Sequence, residues 1–159
     1  MASGGTSPLC DEVIELLASG VTSLGTRDAA LQPECVPVMG ARPHRDRNSV
    51  TVFVPQALAA ATLVNLEDNS QVAISVTRPS DDISMQIKGR AVAVRETTDA
   101  DRAAQEQFRG ALVEQLAIVG LPRAITRRMA WCPSVAIQVD VDDVFVQTPG
   151  PGAGRRFAR

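Results

Sequence analysis

The sequence predicts a mainly β, α+β domain: an antiparallel β-barrel of six strands with helices packed outside it. Three observations lead there. Several stretches are rich in β-branched residues or alternate apolar with polar side chains, the period-two mark of strands. Most are joined by turns, so there is no βαβ rhythm and no parallel sheet is expected. Stretches with helical spacing fall at the start, the middle and the late third of the chain, as helices flanking a barrel would. A mixed α+β sandwich is the nearest rival.

Ser7-Pro8 reads as an N-cap followed by proline at the first helical position. Leu9, Val13, Leu16 and Leu17 then share one helical face, and Gly20 is a stop. "GVTSLGT" (20–26) is a first strand and "ECVPVMGAR" (34–42) a second, with Pro37 directing it to a sheet edge or a bulge. The polar, basic turn "RPHRDRN" (42–48) makes a wide hairpin to "SVTVFV" (49–54). Alanine-rich "PQALAAATLVNLEDN" (55–69) is a helix, "QVAISVTR" (71–78) a strand, and "ISMQIKGRAVAVRE" (83–96) a long strand. Thr98 with Asp101 forms a capping box that opens a helix striped by Ala104, Phe108, Ala111, Leu112, Leu116 and Val119. Gly120 and Pro122 end it, a short helix follows through "RAITRRMA" (123–130), and "SVAIQVDVDDVFVQT" (134–148) closes the domain as a strand pair or one long bent strand. Residues 1–148 form one domain. The Pro/Gly/Arg-rich tail 149–159 is expected to be flexible.

Composition excludes several functions. The 159 residues carry a net charge of −2, which gives no global pull toward nucleic acid or an anionic membrane, so any anion site must be local. Tyrosine is absent and there is one tryptophan, too few aromatics for a base-stacking platform. Cys10, Cys35 and Cys132 are far apart, with no C-x-x-C pair, which argues against a disulfide framework or a zinc site. His44 is the sole histidine and has no clustered carboxylates, so no metal site is expected. No signal peptide and no run of the ~20 apolar residues that span a bilayer is present, which makes the cytoplasm the expected location.

The strand at 83–96 holds the only lysine. Alternation puts Ile83, Met85 and Ile87 on one face and Ser84, Gln86 and Lys88 on the other. Gly89 marks a bulge or a close backbone approach, and beyond it Val92 and Val94 read as buried. The plainer reading of Gln86 and Lys88 is a solvated face; the sharper one is a face turned to an anionic ligand. In "GTRD", Arg27 is either paired with Asp28 or a ligand contact. Trp131 reads as an anchor, and Cys132 lacks a histidine in sequence to activate it.

Strand "TVFV", a helix ending "NLEDNS", strand "QVAISV" and then "MQIKG" resemble, in order and spacing, the pyridoxamine 5'-phosphate oxidase-like FMN-binding split-barrel family. The resemblance runs from about Gly20 to Gln147. It implies a six-stranded antiparallel split β-barrel, a homodimer, and FMN in clefts between subunits, serving an oxidoreductase of unknown small-molecule substrate. It places Gln86 at the flavin ring edge, Lys88 at the basic position of that strand, Phe53 and Val54 on the strand whose main chain lines the ring, Arg42 or His44 near the phosphate, and Thr26 with Arg27 beside the site. No catalytic side chain is implied. The chain departs from the family where a Ser-Arg-Lys cluster should open the middle helix: here stands "PQALAAATL". Arg27, Arg42, Arg45, Arg47 or Lys88 would have to replace those charges. The alternatives are a non-enzymatic dimer that has lost flavin, or one that binds haem.

Overall fold

In a computed structural model, residues 8–129 and 131–157 are described. Four helices and seven strands follow in the order α1 (Asp11–Ser19), β1 (Val21–Arg27), β2 (Pro33–Val38), β3 (Ala41–Pro43), β4 (Ser49–Pro55), α2 (Ala60–Asn69), β5 (Gln71–Thr77), β6 (Ser84–Glu96), α3 (Asp99–Ile118), α4 (Arg123–Thr126) and β7 (Ser134–Val146). The strands form one antiparallel sheet in the order β2-β1-β5-β6-β7-β4-β3. β2 and β3 occupy opposite edges yet are separated in the chain by two residues. The sheet therefore curls until one stretch, 33–43, pairs with β1 at its start and with β4 at its end.

That stretch is the single second strand expected from the sequence, split in two at Gly40, which raises the count from six to seven. Gly40 sits at φ +112°, a conformation other residues rarely adopt, and main-chain bonds from Met39 N–H to Phe53 O (2.7 Å) and from Phe53 N–H to Gly40 O (3.0 Å) close the seam. Inside the curl, Leu24, Val50, Val52, Val54, Ile74, Ile87, Ile137 and Val139 have no solvent exposure. They alternate with outward residues along strands β1, β5 and the first half of β6, as a sheet with one buried face requires.

The helices differ in detail from expectation. Ser7 lies outside the described residues; α1 starts at Asp11, and Cys10 occupies the N-cap without a side-chain bond. Val13, Leu16 and Leu17 bury the apolar face of α1 in the core. The proline-led helix at 55–69 is in fact the last residue of β4, a 3₁₀ turn (Gln56–Leu58) and then α2. In α3 the capping box forms as expected, but the buried face runs through Asp101, Gln105, Phe108, Leu112 and Val113, while Val119 is exposed. The closing segment is one strand, β7, paired along both β4 and β6. Segment 149–157, whose composition suggests mobility, turns back on β7: Val146 N–H donates to Arg155 O and Phe157 N–H to Val144 O.

Candidate functional site

Cross-strand register decides which side chains meet on the outer face of the sheet. Ala73 of β5 stands opposite both Gly25 of β1 and Lys88 of β6. One rung on, Ser75 stands opposite both Ser23 and Gln86. The result is a floor of small side chains with an amide and an ammonium along one border. A groove of about 470 Å³ opens here, lined among others by Gly25, Thr26, Arg27, Cys35 and Lys88.

Lys88 is exposed and forms no ion pair among the described residues. Its ammonium lies 5.0 Å from the centroid of the Phe145 ring. Asp143, directly opposite on β7, would be the natural partner, but it is held by Arg156 of the returning tail at 2.5 Å. Arg27 donates to Gln71 Oε1 (3.2 Å) and to the main-chain oxygen of Asp28 (3.1 Å), while one oxygen of the Asp28 carboxylate accepts from Gln32 N–H (2.8 Å). Glu34 also borders the groove, its Oε2 accepting from Thr62 (2.9 Å) and Thr26 (3.3 Å). Thr26 accepts in turn from the Asn65 amide (3.0 Å), so it clamps α2 onto β1 and is itself buried.

Gln86 and Lys88 thus share the outer face with Arg27, whereas Thr26 alternates to the buried face and borders the groove only from the edge of its strand. The other residues drawn from the family pattern lie elsewhere. Phe53 and Val54 are fully buried, their strand paired with β7 on one side and with 39–43 on the other. Arg42 binds Asp101 at 2.9 Å. His44 Nε2 is 2.8 Å from Thr51 Oγ1. Within the chain these four belong to the far edge of the sheet and to the seam under α3, where Gln105 Nε2 donates to Met39 O (3.3 Å).

Asp101 joins several elements through its carboxylate. Its carboxylate has no solvent exposure and accepts from Arg95 (2.5 and 3.2 Å), Arg42 (2.9 Å), the Thr98 N–H (2.9 Å) and the Thr98 hydroxyl (3.0 Å). Burial pushes its pKa up, but the hydrogen bonds from Arg95 and Thr98 pull harder and hold it well below the usual carboxylate range. Only the Thr98–Asp101 box was visible in the sequence; the two arginines converge from β3 and the end of β6. Among the described residues, no group of three His, Cys, Asp or Glu side chains is placed to hold a metal ion.

Gly89 behaves as the strand pattern suggests: the β6–β7 register shifts between Lys88 and Gly89 and again between Ala91 and Ala93. Beyond it the expectation fails. Val92 and Val94 are about half exposed, because β5 pairing stops at Arg90 and the strand runs on past the barrel. They border an apolar groove of about 320 Å³ with Leu63 and Leu66 of α2.

No protein-family model matches the chain, and no curated protein matches it in sequence. Solved structures match its shape. HupZ of Group A Streptococcus superposes with a TM-score of 0.58 at 20% identity, over 91% of this chain and 98% of that one. A candidate pyridoxamine 5'-phosphate oxidase from Lactobacillus delbrueckii gives 0.57 at 15% identity, over 91% and 99%. The fold is the pyridoxamine 5'-phosphate oxidase-like split barrel. An FMN-binding protein from Syntrophomonas wolfei has the same split barrel, with a TM-score of 0.50 at 12% identity over 84% and 86%. At such identities the likeness speaks for the split barrel alone, and the site rests on this chain's own residues.

Proposed function

We propose that the protein is a homodimeric split-barrel flavoprotein that binds FMN, and that it works as an oxidoreductase on a small organic molecule. One observation carries the reading: the only lysine of the chain forms no ion pair among the described residues and lies on the same outward face as Gln86, over a floor of small side chains, with Arg27 lining the same groove. A dianionic phosphate calls for such cations, and a planar ring for a flat floor. The fit is partial. Arg27 and Lys88 supply two positive charges against the one negative charge of Glu34, and the N-terminus of α2 has neither a basic residue nor a capping side chain. Arg42 and His44 already have partners in their own protomer.

In this reading Lys88 and Arg27 hold the phosphate and the Gln86 amide fixes the ring edge. When bound, FMN supplies the redox chemistry through its isoalloxazine, and the chain supplies binding and orientation. A second copy would cover the half-exposed Val92 and Val94 and turn the open groove into a cleft. The missing basic residues on α2 favour a second reading, a ligand-binding dimer without flavin.

Titration of FMN fluorescence tests the choice. Quenching by the wild type is expected, with affinity reduced about tenfold or more in Lys88→Ala combined with Gln86→Ala, the loss of a charge-assisted and a neutral hydrogen bond. A protein that is colourless as purified and leaves FMN fluorescence unchanged favours the flavin-free dimer. A Soret band after mixing with haem instead would move the assignment to a haem protein.

A further inference from the structure

The α3–α4 turn is apolar and basic at once. Eleven large hydrophobic side chains are exposed among the described residues, and five of them, Ile118, Val119, Leu121, Ile125 and Met129, fall within twelve positions of sequence at this one corner. The same stretch contains three exposed arginines, Arg123, Arg127 and Arg128. Arg123 pairs with Glu114 at 2.7 Å, Arg127 lies within the field of the same carboxylate, and Arg128 forms no ion pair among the described residues. The corner is tied to α3: Arg109 donates to Arg127 O (3.0 Å) and lies 5.8 Å from the Trp131 ring centroid.

From this we infer that the α3–α4 corner docks onto an anionic lipid bilayer, with Ile118, Leu121 and Ile125 entering the interface and Arg127 and Arg128 meeting the headgroups. The charge pattern selects this occupant. The corner has three arginines against the single carboxylate of Glu114, so a two-fold contact with a second copy would set two net-positive patches against each other. An anionic surface offers the opposite sign and takes exposed aliphatic side chains beneath it. No helix of the described residues is long and apolar enough to cross a membrane, so the contact is peripheral. The net charge of −2 makes the local sign the deciding one.

Co-sedimentation of the full chain with vesicles tests it. Binding is expected to vesicles of equimolar phosphatidylcholine and phosphatidylglycerol, to be absent with phosphatidylcholine alone, and to weaken as salt rises. Arg127→Ala with Arg128→Ala should lower the vesicle partition coefficient roughly thirty-fold, the loss expected for two basic residues at an anionic surface. Ile118→Asp with Ile125→Asp should abolish binding while leaving the far-UV circular dichroism unchanged, because both side chains are exposed. Equal binding to neutral vesicles, wild-type binding by either variant, or no binding to the anionic vesicles at low salt overturns the inference. So does light scattering that shows the isoleucine variant losing a dimer.

Discussion

Asp101→Ala is expected to cost about 3 kcal/mol of folding stability, read as a lower urea midpoint at unchanged slope. The carboxylate is completely buried and joins three parts of the chain: Arg42 on β3, Arg95 at the end of β6 and Thr98 at the start of α3. Removing it strands two guanidinium groups and frees the N-cap main chain. Both arginines remain 41% exposed and can rehydrate, which places the cost at the lower end for a broken buried pair. For the same reason Arg42→Ala should cost only about 1 kcal/mol, since Arg95 and Thr98 still satisfy the carboxylate. The pH dependence has a definite sign. The folded pKa lies below the unfolded value of 3.8, so the unfolded chain takes up the proton first. The stabilisation is complete well above pH 3.8 and is lost as pH falls below it. The difference in stability between wild type and Asp101→Asn should therefore be constant at neutral pH and shrink in acid. Identical urea midpoints for wild type and Asp101→Ala at pH 7 would remove the cluster from any role in holding α3 to the sheet.

How much was legible follows from range along the chain. Local signals carried: the alternation of Met85 and Ile87 against Gln86 and Lys88, the capping box of Thr98 and Asp101, and the placing of Pro37 on an edge strand all have their causes within a few residues. Features that need two distant strands did not. Nothing near Arg42 announces that Asp101 will lie 2.9 Å away, so the family pattern alone places it near a phosphate. The family pattern puts Phe53 and Val54 on a strand whose main chain lines a ring, whereas in this chain that strand is paired with 39–43 on one side and β7 on the other. In α3 an apolar stripe was extended to Val119, whereas the helix buries two polar residues, Asp101 and Gln105, that pair with groups on other elements. Val92 and Val94 have the composition of a core strand and are exposed because pairing with β5 stops at Arg90, a fact of topology rather than of local pattern.

Gly89→Ala is expected to be the most damaging alanine substitution among the described glycines, at about 3 kcal/mol or more. A Cβ at Gly89 would stand 2.1 Å from the main-chain oxygen of Asp140 and 3.0 Å from Val139 Cγ1. A side chain could swing away, but a carbonyl oxygen inside a paired strand cannot, so β6 and β7 would have to part where they carry the bulge. Gly110→Ala is the control. It lies within α3 with nothing within 4 Å of the added methyl, and should stabilise by about 0.5–1 kcal/mol through helix propensity alone. Thermal melts of the two variants should consequently shift in opposite directions from the wild type. The comparison also reaches the site, because the bulge begins at the residue after Lys88, whose ammonium lies over Phe145. If Gly89→Ala melts with the wild type, the close approach of the two strands is not what the sequence keeps Gly89 for.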